Sequence, residues 1–183
     1  MSPITPPEQS RRTWLRRIEL RNYRCFSQLT VDLDEHLTVL IARNGAGKTS
    51  VLDAMAAAFG TFVGSFYTGK RSGIDNEDVR LARTKPELNE MEPQYPSALI
   101  ATGEIDGQSI QWARWLNTPK SGTTVKEARP LTVIGERMQK QVTEKQTVLL
   151  PLIAYYGTGR LWNQKKKTEK KVFESEFYSR TAG

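Results

Sequence analysis

The sequence predicts an α/β fold built around a phosphate-binding loop, and three observations carry that reading. The run Leu37-Thr38-Val39-Leu40-Ile41 is continuously apolar, as a central strand covered on both faces would be. It leads directly into Ala42-Arg43-Asn44-Gly45-Ala46-Gly47-Lys48-Thr49-Ser50, which has the composition of a loop that cradles phosphate. The next segment, Lys48 to Phe59, is rich in Ala, Leu and Met, and its Val51, Leu52, Met55 and Phe59 recur at helical spacing.

The chemistry of such a loop follows from its backbone. A triphosphate needs many short hydrogen bonds in a small volume, and consecutive main-chain N–H groups at a helix N-terminus supply them. Gly45 and Gly47 lack Cβ and so allow left-handed backbone and close approach to phosphate. Lys48 is the cation expected to reach the β and γ phosphates, and Thr49 places a hydroxyl where Mg²⁺ would be coordinated. Asn44 stabilises the tight turn. The full pattern is G-x-x-x-x-G-K-[ST], and its first glycine falls on Ala42. A methyl group is tolerated there provided φ is negative.

The other elements follow in order. Trp14 to Leu20 reads as a first strand, Arg21 to Arg24 as a turn, and Phe26 to Leu33 as the antiparallel partner. Asp34-Glu35-His36 is a turn into the apolar run. Gly60 to Gly73 is an irregular connection, and Asp75 to Arg83 starts as a short helix capped by Asp75. Pro86 to Pro96 is loop. Ser97 to Ile105 and Ser109 to Leu116 flank Asp106-Gly107, a strong hairpin signal, and imply an added antiparallel layer. Trp112 and Trp115, three apart on that strand, face opposite sides. Pro130 begins a helix reaching about Lys145, with Leu131, Ile134, Met138 and Val142 on one face. Val148 to Tyr155 reads as a second buried strand, with Pro151 marking an end or a bulge.

Composition limits the function classes. The chain has 183 residues, a net charge of +7 and 38% hydrophobic residues, which suits one domain, or one and the start of another, with a polyanionic partner. A single cysteine, Cys25, excludes an internal disulfide and fits a reducing cytoplasm. No apolar run has the length of a membrane span, and the N-terminus lacks an apolar signal core. Residues 1–13 read as a disordered tail, 14–163 as the globular part, and 164–183 as a basic linker into a helical or coiled-coil insertion. The linker's Lys165, Lys166, Lys167, Lys170 and Lys171 read first as solvated, with DNA phosphate contact as the alternative. His36 has no metal-ligating companions at suitable spacing, and Cys25 reads as a packing residue.

Asn22-Tyr23-Arg24-Cys25-Phe26 fits the pattern N-[FY]-[RK]-x-[FY]. With the leading hairpin and LTVLIARNGAGKTSVLDAMAAAFGTF it resembles the N-terminal lobe of RecF/SMC/Rad50-like ABC ATPases over roughly residues 14 to 60. The later LPLIAYYGTGRLW, with the helix continuation, is similar to ATPases of Septu-type and retron-associated anti-phage systems. The resemblance implies a P-loop NTPase of α/β class: an ABC-ATPase-like lobe with a central sheet, phosphate loop and helix, plus the antiparallel β layer. It implies ATP and Mg²⁺ as ligands. Asn44, Gly45, Ala46, Gly47, Lys48, Thr49 and Ser50 correspond to the phosphate-binding positions, with Thr49 as the Mg²⁺ ligand. Arg24 corresponds to a basic residue near the nucleotide, with a solvated strand-end arginine as the equal alternative. The Q-loop position falls on Tyr156 to Arg160, where no glutamine matches, and Gln164 comes late.

No segment after the loop fits a Walker B strand ending in Asp-Glu or an LSGG-like signature. Thr30 to Glu35 imitates the former, but Asp32 interrupts the apolar run and the order is wrong. The expectation is an N-terminal lobe without catalytic residues of its own, the catalytic half lying beyond Gly183 or on another chain. The partners the resemblance implies are a second ATPase protomer in an ATP-dependent dimer, an HNH-type nuclease, and DNA or a retron reverse transcriptase with its DNA. A RecF-like repair ATPase and a nonhydrolytic nucleotide-binding regulator are the alternatives.

Overall fold

The computed structural model describes residues 12–67, 69, 72–83 and 90–157. The chain divides into two compact units, Met1–Ile153 and Ala154–Gly183, and the elements below belong to the first. Among the described residues four strands form one antiparallel sheet: β1 (Trp14–Tyr23), β2 (Phe26–Asp32), β5 (Ser97–Ile105) and β6 (Gln108–Leu116), in the order β2-β1-β5-β6. The remaining elements are α1 (Lys48–Ala58), the single-turn α2 (Gly60–Val63), a 3₁₀ turn at Asn76–Asp78, the two-residue strands β3 (Leu81–Ala82) and β4 (Glu92–Pro93), and α3 (Arg129–Thr143).

Both hairpins thus belong to one sheet, with β1 paired to β2 on one side and to β5 on the other. The expected added antiparallel strands are present, and they extend the first hairpin within the same sheet. Alternation sets its faces. Ile18 and Leu20 of β1, Leu99, Ala101 and Ile105 of β5, and Trp112 and Leu116 of β6 are buried on one side. Arg17, Glu19 and Arg21 lie on the other, where Arg17 pairs with Asp32 and Arg21 with Glu19. The second hairpin turns at Asp106-Gly107, with φ of 53° and 74°, the left-handed pair that a two-residue turn requires. Just before β1, the Arg12 carbonyl accepts from Gly107 N–H at 3.0 Å and the Thr13 hydroxyl accepts from Asp106 N–H at 3.1 Å.

The helices cover the apolar face. α1 lies on β5 through Ala54, Ala57 and Ala58, whose small side chains let the helix approach closely, and α3 lies on β6 through Leu131, Ile134 and Met138. Burying one Leu, Ile or Met stabilises by roughly 1.5–3 kcal/mol, so this shared core dominates folding. The C-terminal end of α1 is tied to β6 by polar contacts as well. Trp112 Nε1 donates to the Ala58 carbonyl at 3.0 Å. The buried Arg114 donates to the carbonyls of Ala57 and Ser72, each at 3.1 Å, and to that of Thr124 at 2.9 Å. Trp115 lies on the opposite face, as its spacing from Trp112 predicts.

Several expectations are corrected. Leu37 to Ile41 is not a buried strand: it has no ladder partner, and Leu37, Val39 and Ile41 are 73%, 66% and 89% exposed. A central strand needs hydrogen-bonding neighbours on both edges, and the described residues supply none. Val148 to Tyr155 fails for the same reason, with Leu149 and Leu152 open to solvent. The expected turn at Arg21 begins later, because β1 continues to Tyr23. The 75–83 segment gives a 3₁₀ turn, capped by Asp75 as predicted, followed by the short strand β3 and not by further helix. Val142 is exposed near the C-terminal end of α3, and Cys25 is exposed and not a buried packing residue. Asp34 accepts from the N–H groups of His36 and Leu37, which hold its carboxyl below the ordinary range. None of the described helices is long and apolar enough to cross a membrane.

Arg114→Ala is expected to destabilise the fold by about 3 kcal/mol, because the carbonyls of Ala57, Ser72 and Thr124 lose a buried charged donor. Urea unfolding followed by tryptophan fluorescence measures this, and a loss below about 1 kcal/mol would show that water replaces the guanidinium there.

Candidate nucleotide site

The segment Asn44 to Gly47 forms a tight turn that opens α1 at Lys48. Gly45 and Gly47 take φ of 80° and 88°, the left-handed conformation that glycine adopts without steric cost. Ala42 is not among the residues of positive φ, so its methyl replaces the expected glycine without strain. Ala46 N–H reaches the Arg43 carbonyl at 3.2 Å and closes the turn. Gly47 is the N-cap of α1, and the bond from Val51 N–H to its carbonyl, at 3.1 Å, closes the first helical turn. No side chain caps this end, and no acidic residue stands in its first turn. The amides of the first turn are therefore directed outward, with the positive end of the helix dipole behind them.

Lys48 curls back over the loop, its Nζ donating to the carbonyls of Ala42 at 2.6 Å and Arg43 at 2.9 Å. Thr49 is exposed and Ser50 half-buried, while Asn44, Gly45 and Ala46 lie at the surface. The residues expected from sequence, Asn44 to Ser50, thus lie together in one exposed to half-exposed turn and helix start. The arrangement fits a phosphate chain: two left-handed glycines, open amides and a lysine ammonium meet at an uncapped helix end. Thr49 is the residue there that could hold Mg²⁺ through its hydroxyl.

The turn between β1 and β2 supports this loop from beneath. Asn22 and Arg24 have φ of 47° and 49°. Asparagine tolerates that conformation, and its Nδ2 donates to the Pro96 carbonyl at 3.1 Å. Tyr23 is buried between them. Cys25 and Phe26 press on the loop itself: a Cβ built on Gly47 would lie 2.5 Å from the Phe26 ring and 2.6 Å from Cys25 Sγ. The spacing of Asn22-Tyr23-Arg24-Cys25-Phe26 thus acquires a physical meaning, because Phe26 must abut a residue without a side chain.

Arg24 is placed beside the loop, but its guanidinium is gripped by carboxylates. Nε donates to Asp78 Oδ1 at 2.8 Å and Nη1 donates to Asp53 on α1. Burial opposes its charge, but the hydrogen bonds to Asp78 and Asp53 outweigh that, and its pKa stands above the usual arginine value. Asp53 and Asp78 were not singled out from sequence, since an acidic residue on a helix or in a short turn carries no local signal of its partner. Arg160, Gln164 and the lysines of 165–171 lie outside the described residues.

An AAA domain family model matches residues 17–181. The chain is similar to the DNA replication and repair protein RecF of Streptococcus thermophilus, in strains LMD-9 and CNRZ 1066, each 26% identical over 76 residues. The match covers 42% of this chain and 19% of the relative, so the chain spans about a fifth of the length of the curated relatives it matches. A solved structure described under ATP-driven dimerization and DNA-stimulated activation of SMC ATPases aligns with 90% of this chain and 99% of its own, at 13% identity and a TM-score of 0.48. The family model extends over most of the sequence, and the chain belongs to the AAA domain family.

Gly47→Ala and Gly45→Ala separate steric from conformational cost. Both incur the left-handed penalty of roughly 1–2 kcal/mol, but only Gly47→Ala also collides with Phe26 and Cys25. Thermal unfolding of the two variants is expected to show the larger loss for Gly47→Ala, and equal losses would mean that the turn yields freely.

Proposed function

We propose that this chain is the phosphate-binding lobe of a RecF/SMC-like ATPase that dimerises around Mg-ATP. The observation that carries the reading is the convergence of Lys48 and the two left-handed glycines on the uncapped end of α1. Membership of the AAA domain family and similarity to RecF support it. Backbone amides of the loop would take the β and γ phosphates, Lys48 would exchange its carbonyl partners for phosphate oxygens, and Thr49 would hold Mg²⁺. When bound, the metal neutralises charge on the phosphates.

Phosphoryl transfer to water is mostly positioning and electrostatics, and it also needs a carboxylate that orients the water. No apolar run ending in Asp-Glu follows the loop in this sequence. The reading is therefore a lobe that holds nucleotide and receives the catalytic carboxylate and signature residues from elsewhere in an assembled, two-protomer site.

For the biological role, the assignment we favour is control of an anti-phage complex in the cytoplasm in which a partner HNH-type nuclease acts on nucleic acid. The LPLIAYYGTGRLW segment supports it by resemblance. A retron reverse transcriptase with its DNA is a further partner of the same class. The second reading is DNA repair, favoured by the similarity to RecF. Affinity purification from the native host separates them: recovery of a nuclease supports the first, and recovery of replication or recombination proteins alone supports the second.

Lys48→Ala is expected to raise the Kd for Mg-ATP at least a hundredfold, about 2.7 kcal/mol, while the fold is retained. Calorimetric titration of wild type and variant measures this, and equal affinities would exclude the loop as the phosphate site. Wild-type chain alone is expected to bind Mg-ATP without turning it over. Lys48-dependent phosphate release would instead place the catalytic carboxylate within these residues.

A further inference from the structure

We propose that Asp53 and Asp78 are positioning residues of the nucleotide site, acting through Arg24; the inference rests on reading that site as one for nucleotide. Arg24 is held at three points. Its backbone N–H donates to the Asp78 carbonyl at 2.6 Å, its Nε to Asp78 Oδ1 at 2.8 Å, and its Nη1 to Asp53. Asp78 is itself oriented, because its other oxygen, Oδ2, accepts from Asp75 N–H at 3.1 Å in the capping box of the 3₁₀ turn. That turn is fastened to the end of β1: Val79 bridges to Tyr23, and Arg80 N–H donates to the Asn22 carbonyl at 2.9 Å. Asp53 stands on α1, the helix that begins at Lys48.

The guanidinium therefore joins three segments that are distant in sequence: the β1–β2 turn, the 3₁₀ turn, and the helix behind the phosphate loop. Its backbone is left-handed at φ 49°, a conformation that a non-glycine residue keeps only when its surroundings hold it. The next two residues, Cys25 and Phe26, bear on Gly47. Release of either carboxylate frees the arginine, and with it the packing that sets the loop. Nη2 has no hydrogen-bond partner among the described residues, and the Arg24 side chain is one-third exposed. The two carboxylates thus fix Nε and Nη1 and leave one donor edge open.

The sign of the effect separates this role from bulk electrostatics. Removing a negative charge near a phosphate site would by Coulomb attraction alone tighten nucleotide binding. Positioning requires the opposite. In calorimetric titrations with Mg-ATP, Asp53→Asn and Asp78→Asn are each expected to raise Kd roughly tenfold, as coupled neighbours do. The conservative Asp53→Glu is expected to recover part of the loss. In an Arg24→Ala background neither Asn substitution is expected to add a further loss, since the residue through which both act is gone. Hydrogen exchange without nucleotide is expected to show faster exchange in the β1–β2 turn and the first turn of α1 for both Asn variants. Unchanged or tighter binding in the Asn variants overturns the proposal, as do full additive losses in the Arg24→Ala background. Should one Asn variant fail to fold, as judged by its melting profile, the other carries the same cycle. Failure of the wild-type chain to bind Mg-ATP would overturn the nucleotide reading itself, and the exchange data would still report whether the carboxylates hold the turn.

Discussion

Phe26 and Cys25 sit so close to Gly47 that no residue with a side chain fits between them, and the rest of the site depends on this contact. It fixes a glycine at the N-cap of α1, in a left-handed conformation that other residues enter at a cost. It also fixes the level of the helix against the β1–β2 hairpin. The hairpin is rigid because β1 is paired on both edges, to β2 and to β5. If the loop receives an anion, as proposed, such a base would hold its amides in place beforehand.

The opposite end of α1 is treated in the complementary way. There the helix carbonyls meet the Trp112 indole and the Arg114 guanidinium, both buried. A cation at a helix C-terminus and an open, positively polarised N-terminus both agree with the helix dipole. The same strand, β6, therefore holds the helix by its apolar face and satisfies its terminal carbonyls. The N-terminus alone is left without side-chain partners, and it is the end where an anion would be received.

What could be read from sequence was what local chemistry decides. Asp106-Gly107 specifies its hairpin by backbone conformation alone, and the loop from Asn44 to Ser50 is specified by glycine spacing and the lysine. The faces of Trp112 and of Leu131, Ile134 and Met138 follow from strand and helix periodicity. Pairing between distant segments was not readable. Leu37 to Ile41 has the composition of a buried strand, but burial needs neighbours, and composition does not say whether these are present. That β5 pairs with β1, merging both hairpins into one sheet, is likewise a non-local fact. The carboxylates on Arg24 were hidden for the same reason, since Asp53 and Asp78 are separated from it by 29 and 54 residues.

In the proposed reading, the lysine of the loop is already held where a phosphate would be received. Lys48 Nζ already lies over the loop, on the carbonyls of Ala42 and Arg43. Ordering a lysine side chain costs roughly 1.5–2 kcal/mol, and here much of that ordering precedes binding. Its present partners are neutral oxygens on exposed residues, so water can replace the ammonium at little cost when it leaves. A phosphate oxygen carries charge, so it attracts the ammonium by Coulomb interaction more strongly than a neutral carbonyl does. On that reading the exchange would run toward phosphate. In the proposed reading the two carbonyl contacts would act as a placeholder, holding the cation over the loop until a stronger acceptor took it.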